Sequence, residues 1–562
     1  MTISDVHVYT IDMYIRTTSR KNKDGSVVRY VQLAHNVWDP KAGCSKTEVI
    51  RNLGREEDLD RKGLQRLVEN VSRYLGEEIQ TSSSVTEQDI TFEPGRSFGG
   101  VWALDQMWRR MNIDKILKRL LKKRQFETPV ERLIFAMVAN RALAPSSKLA
   151  IEEWVEQDTF IPDLPLVPVQ QLYRSMDFLL EADSAIQHDV FFSIANLFNL
   201  EVDLLYFDTT STYFETEEED DFRRNGHSKD HRPDLPQAVI GLAVTRDGIP
   251  VRCWVWPGNT ADMSVIEEVK KDLNGWKLNR VIGVIDRGFS SEDNLRYLQR
   301  AGGHYIAGER MRSGMEHVEE ALSRPGRFKP VADNLEIKEV VVGDGEARIR
   351  YVLARNPKEA ERDKAKREII LSKIREELAK LGDLGGEPHC KACCELIAHK
   401  SYGRYLKMDE QGQPHIDKSK VKAEERLDGK YLIRTSDDTL SPVDVALGYK
   451  QLYQVENAFR TLKTTLELRP VYHRIEDRIR SHILLCWLAL LLVRVIENQT
   501  GESWTKLRRV LSRIQVAELK TSSGSITKTS TLNPALKQLF KALEIPEPPR
   551  ILDPGKKHPK IS

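Results

Sequence analysis

The run NRVIGVID, Asn279 to Asp286, limits the fold more than any other stretch of the chain. It is short, almost wholly apolar and ends on a carboxylate. Such a run reads as a strand buried on both faces, which requires a sheet covered on both sides. SSEDNLRYLQRAGG follows, with Ser290 or Ser291 as helix cap, acids in the first turn and Gly302 as a stop. HYIAG, His304 to Gly308, is the next strand. Upstream, LEVDLLYFDTTSTYFE (Leu200 to Glu215), QAVIGLAV (Gln237 to Val244) and IPVRCWVWP (Ile249 to Pro257) read as strands, the last two joined by the turn TRDG. A three-strand meander thus leads into a βαβ unit with a right-handed crossover. That predicts an α/β fold built on a mixed five-stranded sheet flanked by helices.

With 562 residues the chain has room for about three to five domains. Residues 1–95 read as a small β-containing module, with a turn at KNKDG, a helix over 61–80 and a linker, QTSSSVTEQD. Residues 96–199 are helical throughout and a candidate for DNA binding. Residues 200–309 hold the first part of the sheet. Residues 310–438 interrupt it as a β-rich insertion, with a hairpin turning at Gly343–Gly345, a charged helix from Pro357 to Leu381, and short strands at GRYLKM and GKYLIRT. In residues 439–500 a long helix begins at the capping box SPVD, Ser441 to Asp444. Residues 501–562 form a helical region and a tail, PEPPRILDPGKKHPKIS, that reads as disordered. The longest apolar run, Ile483 to Val493, falls short of the roughly 20 residues that span a bilayer and reads as a buried core helix. MTISDVHVYT does not resemble a signal peptide, and the scattered cysteines form no disulfide framework. The expectation is a cytosolic protein without a membrane partner.

Asp208 and Asp286 close strands at their C-terminal ends, where open sheets place functional groups. Two neighbouring carboxylates repel unless a cation lies between them. Hard divalent cations with oxygen ligands meet that need, and a third carboxylate completes a two-metal site for in-line phosphoryl transfer. The third candidate is Glu456, in YQVENAFRTLK. On a continuous helix Tyr449, Glu456 and Lys463, seven apart, return to nearly one face, with Phe459 and Arg460 between them. An exposed Glu–Arg–Lys ladder is the bland alternative, and the two aspartates tip the reading toward a metal ligand flanked by phosphate-binding groups. The net charge of +2 announces no nucleic-acid partner, so basic patches must be local. WRRMNIDKILKRLLKKR (Trp108 to Arg124) and LRRVLSR (Leu507 to Arg513) are the candidates, against solvated helix faces.

The blocks YFDTTSTYFE, SKDHRPDLPQAVIGLAV, WPGNTADMSV, VIDRGFSS and YKQLYQVENAFRTLKTTLELRPVYH resemble the DDE transposases of bacterial insertion sequences, and most of all the insertion-sequence-four superfamily. The resemblance covers roughly residues 100 to 500. It implies an RNase H-like core with a β-rich insertion before the third acid. Asp208, Asp286 and Glu456 then match the catalytic, metal-holding triad, Tyr449 the tyrosine and Lys463 the lysine of a Tyr-Arg-Glu-Lys signature. The arginine position is Leu452, a departure that leaves Arg460 or Arg469 to supply the phosphate contact. The resemblance further implies two Mg²⁺ or Mn²⁺ ions, cleavage at element ends and strand transfer. The expected partners are double-stranded DNA, as terminal inverted repeats and target, and further copies of the chain in a homodimer or higher multimer in the bacterial cytoplasm. An RNase H-like nuclease that cuts without joining, or a domesticated DNA-binding protein, stands as the alternative.

Lys229, His231 and Arg232, in HSKDHRP, are further candidates for DNA phosphates. Asn259 and Asp262, in PGNTAD, either support the site or make a turn. Glu217 to Asp221 read as a solvated acidic loop. His389, Cys390, Cys393 and Cys394 give one CxxC without a second pair, which argues against structural zinc. His482, at the head of the apolar helix, reads as a buried, hydrogen-bonded histidine.

Overall fold

The computed structural model describes residues 13–552, apart from 22–26, 40–43, 76–89, 93–94, 123, 125, 127, 165–167, 201, 277, 279–280, 312–314, 346–347, 383–385 and 522–523. The chain forms two compact units, residues 176–495 and residues 1–175 with 496–562.

The first unit is built on a nine-stranded mixed sheet. Its strands in chain order are β1 (Leu204–Tyr213), β2 (Gln237–Val244), β3 (Pro250–Pro257), β4 (Ile282–Ile285), β5 (His304–Glu309), β6 (Lys329–Ala332), β7 (Leu335–Val342), β8 (Ile349–Arg355) and β9 (Lys430–Thr435). Across the sheet they run β6-β7-β8-β9-β5-β4-β1-β2-β3. β1, β4 and β5 are mutually parallel, and every other pairing is antiparallel. The five strands from β3 to β5 are the meander and βαβ unit expected from the sequence, and they form an RNase H-like core. Ser291 caps the crossover helix α1 (Glu292–Gln299) by accepting from the Asn294 amide.

The insertion departs from the expected separate β-rich subdomain in two ways. Its strands β6 to β9 extend the core sheet, with β9 pairing β5 from Ile306↔Thr435 to Glu309↔Leu432. An edge strand left bare would expose a row of unpaired backbone groups, and β9 covers it. The rest of the insertion is mostly helical: α2 (Pro357–Leu381), Gly386–Ala398 and Lys418–Glu425 surround a small hairpin, Leu406–Met408 with Pro414–Ile416.

The long helix expected from Ser441 is not continuous. Ser441 caps α3 (Pro442–Lys450) through the Asp444 amide, and α4 (Tyr453–Arg460) comes after a break. At the break Leu452, Gln454 and Val455 donate three residues back, a tightened turn. After α4, residues Thr461–Thr465 widen into a π turn closed by the Leu466 amide on Thr461. A seven-residue repeat therefore does not return to one face here. The apolar run lies in α5 (Glu476–Thr500), which has the length and composition to cross a membrane but has 89% of its apolar window buried inside the protein.

The second unit holds an antiparallel three-stranded sheet (Met13–Lys21, Val27–Asp39, Cys44–Arg55), the helix Arg61–Leu75, and a set of helices that begins with Gly99–Arg110 and Ile113–Leu121. The KNKDG turn and the QTSSSVTEQD linker fall largely outside the described residues. The C-terminal region is not purely helical. Gln515–Thr521 and Gly524–Thr529 form a hairpin that pairs with Ile90–Phe92, with Arg96–Ser97 and with Ile551–Leu552. The tail is thus part of a sheet up to Leu552, and residues 553–562 lie outside the described residues.

Candidate active site

Side chains alternate along β1, so Tyr206, Asp208 and Thr210 share one face and Phe207 the other. Phe207 packs into the core, its ring 5.3 Å from Phe289. Asp286 directly follows β4, and Phe207 pairs with Ile285 in parallel register. Asp208 and Asp286 are each the next residue, one step beyond that pair. Adjacent strands lie roughly 4.8 Å apart, so the two acids are neighbours at the C-terminal end of β4.

The electrostatics reflect this crowding. Burial pushes the Asp208 carboxyl up to about 6; Lys229 and the Thr209 amide pull it back, while the charges of Asp286 and Asp262 push it further up. The Thr209 amide donates to Asp208 Oδ1 at 2.7 Å. Asp262, which opens the turn after β3, accepts from the Thr209 hydroxyl. Lys229 Nζ lies 3.1 Å from Asp262 Oδ2 and 3.7 Å from Asp208 Oδ1. Of the two readings of PGNTAD, this places Asp262 beside the aspartates.

The helices α3 and α4 cover the Asp208 face of β1. Tyr206 Oη donates to Gln451 Oε1 at 2.7 Å, and Lys463 Nζ donates to Thr210 Oγ1 at 2.7 Å. Chain and strand run the same way between these anchors. Glu456 is five residues past Gln451, about 7.5 Å of helix rise, and Asp208 is two residues past Tyr206, about 6.6 Å of strand. Glu456 therefore lies on α4, between the Gln451 and Lys463 anchors to β1. Its side chain is exposed and has no hydrogen-bond or ion-pair partner among the described residues.

Tyr449 turns inward. Its hydroxyl donates to Asp286 Oδ1 at 3.1 Å, and burial first, then the Asp286 charge, holds its proton firmly. A Cβ on Gly308 of β5 would stand 2.0 Å from that oxygen, so the strand must be bare there. Among the described residues no three Asp, Glu, His or Cys side chains stand together closely enough to hold a metal ion. The donor set nonetheless suits a hard divalent cation: Asp208, midway along β1 and not at its end as expected, and Asp286, just past β4, offer neighbouring carboxylates, and that of Asp208 is raised in pKa by burial first and by its acidic neighbours after it.

Residues 206–492, just over half of the chain, match the transposase DDE domain, and residues 15–84 match the N-terminal domain of IS1634 family transposases. The chain belongs to the DDE transposases of insertion sequences. No curated protein matches it. Among solved structures it is similar to the piggyBac transposase synaptic complex with hairpin DNA, seen by cryo-EM, at 11% identity over 74% of this chain and 78% of that one, with a TM-score of 0.33. The assignment rests on the two family matches.

The remaining candidate residues of the transposase have diverse surroundings. Lys463 is largely buried; its Nζ bonds Asp230 Oδ1 at 2.8 Å, and desolvation lowers its pKa. Arg469 reaches Asp230 Oδ2 at 3.3 Å and lies over the Tyr213 ring at 4.5 Å. Arg232 bonds Asp234 and lies 5.2 Å from the same ring, on the protein surface. Arg460 is exposed, with no ion-pair partner among the described residues. Asp230 was not legible as a site residue; an acid set inside the basic stretch SKDHRPD was the available signal.

The basic run from Trp108 to Arg124 is balanced by acids, some of them distant in sequence. Arg109 pairs with Asp105 at 2.9 Å, Lys118 with Asp114 at 3.2 Å, and Arg110 with Glu544. Glu217 to Asp221 is an organised loop, in which Asp220 accepts from the Phe222 and Arg223 amides. His389 spends one ring nitrogen on Leu381 O and the other on Gln413. Cys393 is buried in the helical insertion, with Cys390 and Cys394 exposed. His482 bonds Leu468 O at 3.1 Å in the core.

Proposed function

We propose that the transposase cleaves element ends and joins them to target DNA through Asp208, Asp286 and Glu456, with two Mg²⁺ or Mn²⁺ ions as cofactors. The observation that supports this reading is the register of β1 and β4, which makes Asp208 and Asp286 neighbours, with α4 held along β1 between the Gln451 and Lys463 anchors. Bound cations would polarise the scissile phosphate and lower the pKa of the attacking hydroxyl. The chain's own part is to hold the carboxylates in place. Tyr449 fixes one oxygen of Asp286, the Thr209 amide fixes one oxygen of Asp208, and Glu456 is free to swing onto a cation. Arg460, Arg232, Lys229, Lys463 and Arg469 form the basic surroundings for DNA phosphates, with Lys463 and Arg469 both paired to Asp230.

Tyr449, Glu456 and Lys463 also support membership of the insertion-sequence-four superfamily. Leu452 departs from its signature, and the exposed Arg460 is the replacement we favour. The partners are element-end and target DNA together with a second copy of the chain, in the bacterial cytoplasm. Mg²⁺-dependent cleavage of DNA carrying the element ends tests the triad: Glu456→Gln should abolish it and retain the fold. Retained cleavage would dismiss Glu456. Strand transfer from pre-cut ends separates the transposase reading from a nuclease that only cuts.

A further inference from the structure

Lys229 presents an ammonium beside a proposed metal ligand, an arrangement that should compete with a cation. An ammonium has three donors. Here Nζ lies 2.8 Å from Thr209 O, 2.7 Å from Thr209 Oγ1 and 3.1 Å from Asp262 Oδ2. The first two are hydrogen bonds and the third is an ion pair. Asp208 Oδ1, at 3.7 Å, is beyond hydrogen-bond length. The Thr209 hydroxyl, which accepts from Lys229, donates in turn to Asp262 Oδ1. The carboxylate of Asp262 therefore grips both the ammonium and the hydroxyl that anchors it.

The Asp262 turn is itself held in place. Asn294 Nδ2 donates to Met263 O at 2.9 Å and to Phe289 O at 3.1 Å, tying the turn to the segment that follows Asp286. Without the Asp262 charge, Lys229 loses its shorter ion pair, and Asp208, already 3.7 Å away, is the carboxylate left to it.

We propose that Asp262 is a positioning residue that withholds Lys229 from Asp208 and so keeps that carboxylate open to a divalent cation. The inference rests on the assignment of Asp208 as a metal ligand. It is distinct from a role for Asp262 as a ligand, because its main effect runs through Lys229, beside the direct repulsion between the two carboxylates.

Mn²⁺ binding to the full-length, DNA-free protein, followed by electron paramagnetic resonance, separates the two. Asp262→Asn should weaken Mn²⁺ binding by about tenfold in the wild-type background. In a Lys229→Met background the same substitution should change it by less than about twofold. Equal weakening in both backgrounds would make Asp262 a ligand and overturn the proposal, as would an unchanged affinity in the wild-type background. Asp208→Asn is the reference: wild-type Mn²⁺ affinity there would remove the metal assignment itself. Matching circular dichroism melts establish that each variant is folded.

Discussion

The Tyr449 hydroxyl donates to Asp286 Oδ1 at 3.1 Å, and it reaches that oxygen because Gly308 has no side chain in its path. A methyl at 308 would stand 2.0 Å from the hydroxyl oxygen and 2.7 Å from the ring carbon that bears it. Gly308→Ala should therefore destabilise the protein by about 1–3 kcal/mol, as overpacking does. It should also slow cleavage by displacing Tyr449. Tyr449→Phe, which removes only the hydrogen bond, should cost about 1 kcal/mol. Urea midpoints at unchanged m-value measure both. A Gly308→Ala protein of wild-type stability and rate would disprove the close approach.

The crowding at Asp208 should produce a pH dependence of the metal-free protein. An aspartate titrates near 3.9 when unfolded, whereas burial and acidic neighbours bring Asp208 up to about 6 in the fold. Between those values the folded chain holds a proton that the unfolded chain has lost. Stability from this group thus falls as pH rises from about 4 to about 6 and stays reduced above. Asp208→Asn should stabilise the chelated protein at pH 7.5 by at most roughly 3 kcal/mol, with the gain vanishing near pH 4. Thermal melts in chelator at the two pH values are the measurement, and a gain independent of pH would contradict it.

Asp230 is a hub with two cations and little solvent, its side chain 9% exposed between Lys463 and Arg469. Removing its charge leaves two partly buried cations facing each other. Asp230→Asn should cost about 3–5 kcal/mol, the usual loss when one partner of a buried pair is removed. Lys463→Met should cost less, because Arg469 still pairs with Asp230. Equal losses from the two variants, measured by urea denaturation, would refute the hub.

Arg460 and Arg232 make a contrast in DNA binding. Arg460 is exposed without an ion-pair partner among the described residues, whereas Arg232 already bonds Asp234. Each phosphate neutralised contributes about 0.9 to the slope of log affinity against log salt. Arg460→Ala should lower the slope for element-end DNA by about one, and Arg232→Ala by less. Fluorescence anisotropy across a salt series in chelator reads both. An unchanged slope for Arg460→Ala would remove it as the substitute for the arginine absent at Leu452.

Much of the core was legible because its signals are local. The apolar run before Asp286, the meander around TRDG, and the caps Ser291 and Ser441 each depend on residues a few positions apart. The insertion was read less well. Its strand GKYLIRT carries no mark that it will pair with His304–Glu309 rather than close a separate sheet. The helix Gly386–Ala398 was not predicted, and its buried Cys393 packs in the apolar cluster of the insertion.

The sequence by itself determined the order of strands and helices in the core and the position of Asp286 at a strand end, because period, caps and turns act over short stretches of chain; Asp208, expected at a strand end, lies midway along Leu204–Tyr213. Only the tertiary structure decided what each charged group meets. Lys463 reaches Thr210 and Asp230, and Lys229 reaches Thr209 and Asp262. The tight turn at Leu452 comes between Tyr449, which is turned in, and Glu456, which is exposed, and the wide turn at Thr461 comes between Glu456 and Lys463, so the seven-residue stripe is undone at both steps. Those outcomes are set by packing between segments up to some 250 residues apart, and no local pattern carries them.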